Sequence, residues 1–336
     1  MGSGLVRVTP GDDPGLRRIR SGKGFRYESP TGGSASDEDR DRITALVIPP
    51  AWTDVWISVE PLGHIQAVGT DDAGRRQYLY HPLWRERRDK GKFARALALA
   101  AALPSARRQV TRSMHRTELD RERVLAVSFR LLDSAAPRIG SARYLERHGS
   151  RGLTTLERRD AAVEASIVTL AFPGKSGKRA HLEVDDEDLA EVVAVLVQGR
   201  PRSALLAYRK GSRRVALKPS EVNDHVRSLT GGAFTAKDFR TLHGTIVAAQ
   251  SLARIGVVST DRERRAAETL AVRATSDALG NTPAVARSSY IDPRVFTRYA
   301  NGQVLDLSLS PESGIRSLLG GEKARRGDRG KGRRGR

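Results

Sequence analysis

The stretch Thr235-Ala236-Lys237-Asp238-Phe239-Arg240-Thr241-Leu242 opens a helix that organises the second half of the chain. Thr235 and Asp238 stand at capping-box spacing, in which a helix-opening hydroxyl residue and an acid three positions on satisfy free backbone amides. Phe239, Leu242, Ile246, Ala249 and Leu252 follow at intervals of three and four, which predicts one buried helical stripe. Lys237 and Arg240 share one face of the first turns, where a helix N-terminus already favours anions. A phosphate there would meet two cations and a dipole, although the pair taken alone also reads as a solvated basic face.

Downstream, Leu279-Gly280-Asn281-Thr282-Pro283 punctuates two helices. Gly280 suits the end of one, Thr282 the cap of the next and Pro283 its first position. Tyr290 then falls two turns into a short helix that stops before Pro293. A lone tyrosine in such a helix is ordinarily a packing residue.

Upstream, helical patterns run back to the Ala- and Leu-rich stretch Phe93 to Leu103. One hairpin interrupts them: Ile167 to Phe172, the turn Gly174-Lys175-Ser176-Gly177, then Arg179 to Val184. The acidic run Asp185 to Asp188 precedes an apolar helix and is read as its cap rather than as a metal site.

Before residue 90 the pattern is different. Short apolar runs at Ile48-Pro49-Pro50, Val55-Trp56-Ile57 and Gly63-His64-Ile65, followed by the turn Asp71-Asp72-Ala73-Gly74, predict a small β-rich domain. Ser21 to Arg40 is Gly, Ser and charge rich and reads as loop. Past Pro311 periodicity is lost, so residues 311–336 are expected to form a disordered basic tail. The expected fold is α+β: a β-rich cap over residues 1–90 and a mainly helical domain with a small antiparallel sheet over 91–310.

Composition narrows the partner. The chain of 336 residues carries 59 Lys and Arg against 39 Asp and Glu, a net charge of +20 that suits a polyphosphate. Glu322 to Arg336 holds eight basic residues against two acidic ones, so the remaining +14 is spread over the rest of the chain. With no cysteine, disulfides, thiol nucleophiles and Cys-type zinc sites are excluded, and the seven histidines show no metal-binding spacing. No apolar run of membrane-spanning length and no secretory signal is visible, so a cytoplasmic protein is expected. Gly174-Lys175-Ser176 is not a nucleotide-binding loop, because Thr169 stands where that motif needs its first glycine.

Together these motifs resemble the type IB DNA topoisomerases of the compact bacterial and poxvirus-like kind. Small members of that family carry Lys-Asp-Leu-Arg-Thr, then Gly-His-Thr-Pro, then a tyrosine nine residues after the histidine. Here the chain reads Lys237-Asp238-Phe239-Arg240-Thr241, then Gly280-Asn281-Thr282-Pro283, then Tyr290. Arg138-Ile139-Gly140, Tyr144-Leu145 and Gly152-Leu153-Thr154-Thr155-Leu156 resemble the family's first arginine motif, and Phe172-Pro173-Gly174-Lys175 its hairpin lysine. Ile48-Pro49-Pro50-Ala51-Trp52 and Gly74 to His81 resemble its DNA-facing cap. The resemblance spans roughly residues 18–300 and departs at Asn281, a neutral donor where the small viral and the eukaryotic enzymes have histidine.

The resemblance implies an enzyme that relaxes positive and negative supercoils through a 3′-phosphotyrosine intermediate, with no cofactor, metal or nucleotide. It implies Tyr290 as nucleophile, Arg138 and Arg240 on the phosphate, Asn281 as a further donor and Lys175 as general acid. Arg76, Gln77, Tyr78, Tyr80, Tyr144 and Lys237 are the expected contacts of a monomeric clamp on duplex DNA. A tyrosine recombinase shares this chemistry, but its second box usually reads His-x-x-Arg-His and its leading domain is helical. A non-catalytic DNA-binding protein would account for the charge alone.

Overall fold

The computed structural model describes residues 4–320, which divide into two compact units at Gly91/Lys92. The architecture is α+β.

In the first unit, β1 (Gly15–Ser21), β2 (Gly24–Glu28), β3 (Thr53–Ser58), β4 (Ile65–Thr70) and β5 (Arg76–Tyr80) form one sheet. Its order is β2-β1-β3-β4-β5, every neighbour antiparallel. Alternation along the strands separates the two faces. Leu16, Val55, Ile57 and Ala67 pack on Ile43 of helix α1 (Asp37–Ala45), while Val8, Ile65 and Val68 form a second cluster with Trp56 and Tyr80.

The loop expected over Ser21 to Arg40 is not one. It holds β2, where Phe25, Arg26 and Tyr27 alternate, and the start of α1, where the Ser36 hydroxyl accepts from the Asp39 amide at 3.1 Å. A helix with a single buried residue leaves almost no periodic signal.

Helix α2 (Pro82–Met114) begins eleven residues before the apolar stretch that predicted it. Helix α3 (Arg121–Ala135) buries ten of its fifteen residues, with Phe129 edge-on to Phe239 at 5.3 Å. A short helix α4 (Ala142–His148) leads to the three-stranded sheet of β6 (Ala161–Glu164), β7 (Ile167–Pro173) and β8 (Arg179–Asp185), in which β7 and β8 are the expected hairpin. Helix α5 (Glu187–Leu196) is capped by the Asp186 carboxylate, which accepts from the Leu189 amide at 2.9 Å.

A second hairpin, β9 (Ala207–Lys210) with β10 (Arg213–Ala216), has little sequence signature, because half of its strand residues are basic and most are exposed. Helices α6 (Pro219–Thr230), α7 (Ala236–Ile255), α8 (Asp261–Leu279), α9 (Pro283–Ser289) and α10 (Arg294–Ala300) complete the part that carries the motifs.

The tail expected from Pro311 does not start there. Pro311–Gly320 is helix α11, with Ile315 and Leu319 buried in the main core. Glu312 anchors it by accepting from Arg107 at 2.5 Å, and Arg107 also forks onto Asp133 at 2.6 and 3.0 Å. Residues 321–336, the rest of the expected tail, lie outside the described residues.

Candidate active site

Helix α7 places Arg240 on its inward face, 5% exposed. The Asp238 carboxylate accepts from both the amide and the hydroxyl of Thr235 at 2.9 Å and meets Arg95 at 3.2 Å, so the helix start is fixed. The Arg240 fork donates to Ala136 O at 2.7 Å and Leu279 O at 2.9 Å, carbonyls at the ends of α3 and α8. Its Nε is buried with no hydrogen-bond partner, and among the described residues no carboxylate pairs with it. A buried cation bonded to carbonyls and offered no carboxylate is a site suited to an anion.

Arg138 follows α3 in a loop whose backbone is locked by two glycines. Gly140 has φ +77°, and a Cβ there would lie 2.8 Å from the Thr155 hydroxyl; a Cβ on Gly152 would lie 2.5 Å from Arg138 O. That close approach lets Leu153 N donate to Arg138 O at 2.8 Å and Thr154 N to Ile139 O at 2.9 Å. Arg138 Nη2 donates to Gly280 O at 3.2 Å and to the side-chain oxygen of Asn281. With its oxygen so engaged, Asn281 keeps a buried Nδ2 donor that has no partner.

Gly280 ends α8 in the left-handed region at φ 57°, Thr282 caps α9 and Pro283 opens it. Tyr290 is not inside that helix: it is the capping residue after Ser289, with φ −129°. The guanidinium carbon of Arg240 lies 5.0 Å from the centre of the Tyr290 ring, a cation–π distance. Burial would push the phenol up, but Arg240, then Arg138 and Lys237, outweigh it and hold Tyr290 below the usual phenol range.

Lys175 is exposed at the turn of the β7–β8 hairpin. It lines two cavities of about 220 Å³ each. One is bordered by Arg138, Lys175, Asn281 and Tyr290, the other by Arg138, Lys175 and Arg240. Five residues drawn from distant motifs thus meet around one pair of adjoining cavities.

Lys237 is exposed on the first turn of α7 and reaches the site through its charge on Tyr290 rather than as a lining residue. Tyr144, 37% exposed on α4, packs its ring 4.6 Å from that of His148. In the first unit, Arg76, Tyr78 and Tyr80 alternate along edge strand β5, the two tyrosine rings stacked at 6.1 Å. Gln77 points elsewhere and donates to Asp71 at 2.9 Å.

Sequence reasoning missed Lys178, which lines both cavities and whose carbonyl closes the hairpin by accepting from Gly174 N at 2.7 Å. The repeated lysine in Gly-Lys-Ser-Gly-Lys was the available signal. Among the described residues no group of three His, Asp or Glu is placed to hold a metal, and no helix is long and apolar enough to cross a membrane.

Residues 82–301 match the family described as eukaryotic DNA topoisomerase I, catalytic core, and residues 24–71 match the bacterial DNA topoisomerase IB N-terminal domain. The chain is also similar to DNA topoisomerase 1B of Acanthamoeba polyphaga mimivirus, 26% identical over 313 residues that cover 88% of this chain and 93% of the viral one.

Proposed function

Because the chain belongs to the type IB DNA topoisomerase family and is an enzyme of that class acting on DNA, we propose that it relaxes supercoils of both signs by cutting and resealing one strand through Tyr290. The observation that carries this reading is Arg240, a buried cation without a carboxylate partner, set against the ring of a tyrosine whose phenol is held low.

In the proposed reaction the Tyr290 phenol gives up its proton to solvent, its oxygen attacks the phosphorus and the bond to the 5′ oxygen breaks. The products are a 3′-phosphotyrosine ester and a free 5′ hydroxyl. The crowded five-coordinate phosphate gathers charge on its nonbridging oxygens, where the planar forks of Arg138 and Arg240 and the free Nδ2 of Asn281 offer donors. Lys175 hands a proton to the departing 5′ oxygen, for which an exposed hairpin position beside the cavity is suited. Resealing runs the same steps backwards. The phosphotyrosine ester conserves the energy of the phosphodiester, so the cycle needs no nucleotide, and the two arginines supply the positive charge.

Residues 1–90 then act as the DNA-facing cap and 91–310 as the catalytic domain of a monomer working on chromosomal DNA in the cytoplasm. Arg76, Tyr78, Tyr80, Tyr144 and Lys237 would contact backbone, and Gln77 would read a base edge only after leaving Asp71. The test is relaxation of positively and negatively supercoiled plasmids by the purified protein in a chelator, without ATP. Both should relax; an absolute need for ATP or magnesium, or action on one sign alone, would overturn the proposal.

A further inference from the structure

We infer that Thr245 is a positioning residue for the nucleophile, its buried hydroxyl tying both ends of the Tyr290–Asp292 turn to helix α7. The inference rests on the reading of Tyr290 as the attacking residue.

Thr245 is 3% exposed on the helix that carries Arg240, five residues further on. A threonine inside a helix commonly gives its proton to the carbonyl four residues back, and Thr245 does so with Thr241 O at 2.8 Å. That single proton is shared with Tyr290 O at 3.2 Å in a three-centre bond, and the hydroxyl oxygen accepts from the Asp292 amide at 3.1 Å. One oxygen therefore serves a carbonyl and an amide from the segment in which the chain leaves α9.

That segment needs outside partners. Tyr290 has left helical geometry, and although the amides of Tyr290 and Ile291 still reach Ala286 O, the Asp292 amide turns to Thr245. Next to Thr245, Gly244 leaves room for the close approach: a Cβ there would lie 2.9 Å from Tyr290 O and 3.0 Å from Tyr290 Cβ. A bare position followed by a hydroxyl makes a seat shaped for the Tyr290 backbone. From the far side, buried Asp292 is gripped by Arg294 at 2.6 Å.

Because Thr245 and Arg240 share one rigid helix, a bond from Thr245 to Tyr290 sets the phenol in register with the arginine. Removing the hydroxyl leaves a carbonyl and an amide without their partner and lets the tyrosine drift from the near-attack position, where small displacements are costly in rate.

The experiment compares full-length Thr245→Val, which keeps the side-chain shape, with Thr245→Ser, which keeps the hydroxyl. Single-turnover cleavage of a suicide duplex at saturating enzyme should fall about ten-fold or more in the valine protein, with Kd for the duplex unchanged. The serine protein should cleave at the wild-type rate. The pH dependence of the valine protein should also move to higher pH as the phenol loses its fixed place against Arg240. If the valine protein melts too low, Thr245→Ala assayed below its own melting temperature should show the same loss. Wild-type cleavage by the valine or alanine protein, or a serine protein as slow as valine, overturns the inference. Tyr290→Phe separates the two readings. An adduct formed without that phenol defeats the nucleophile assignment, whereas a lost adduct beside full-rate valine defeats only the positioning role.

Discussion

The guanidinium of Arg240 and the ring of Tyr290 face each other at 5.0 Å, and neither has a carboxylate ion-pair partner among the described residues. The arrangement is electrostatically incomplete. Two cations, Arg240 and Arg138, gather at one point, and burial first, then Arg138, disfavour the charge on Arg240. A phosphodiester entering the cavity would relieve that repulsion and take up the idle donors of Arg240 and Asn281.

The same field lowers the Tyr290 pKa, with Lys237 contributing from the exposed start of α7. Lowering favours the phenolate, so cleavage by wild type should rise with pH through a midpoint below that of a free phenol. Lys237→Met removes one of the lowering charges and should move that rising limb upward in pH with little change in melting temperature. A single-turnover pH–rate profile measures it; an unmoved or lowered midpoint would contradict the electrostatic account.

Lys175→Ala should slow cleavage of ordinary DNA, on the order of 10²-fold or more for a lost general acid. A 5′-phosphorothiolate substrate should restore the rate, because its sulfur leaves without needing a proton. Equal slowing on both substrates would show that Lys175 has another task and would turn attention to Lys178, which borders the same cavities.

Two truncations should part company. Removing Glu322 to Arg336 takes away eight basic residues and should weaken DNA binding most at low salt, leaving single-turnover cleavage at saturation intact. Removing everything from Pro311 also strips Ile315 and Leu319 from the core and leaves Arg107 without Glu312. That should cost about 3 kcal/mol or more and lower the melting temperature by roughly 10 °C. Equal melting temperatures for the two truncations would contradict the place of α11 in the core.

Much of this was legible in the sequence, for identifiable reasons. The stripe after Lys237 follows the helical period closely enough to announce α7, and Gly280, Thr282 and Pro283 each have a specific place at helix ends. Arg138, Lys175, Arg240, Asn281 and Tyr290 each stand in a motif, and their meeting is a product of tertiary packing that periodicity does not encode. What escaped depends on contacts across the chain. Tyr290 ends its helix because its carbonyl turns toward Thr245, forty-five residues upstream, and no local signal foretells that bond. Helix α11 reads as tail because its ten residues hold a proline and two glycines, while its order comes from Ile315, Leu319 and the Glu312–Arg107 pair. The start of helix α1 reads as loop because eight of the helix's nine residues avoid the core.

The central claim is that Tyr290 carries the broken strand. Incubating the full-length protein with a suicide duplex labelled on the cut strand, denaturing it in detergent and digesting the adduct with trypsin should place the nucleotide on the peptide that contains Tyr290. Tyr290→Phe should bind the same duplex and give no adduct. A nucleotide attached to any other residue, or an adduct that survives the loss of this phenol, would contradict the account.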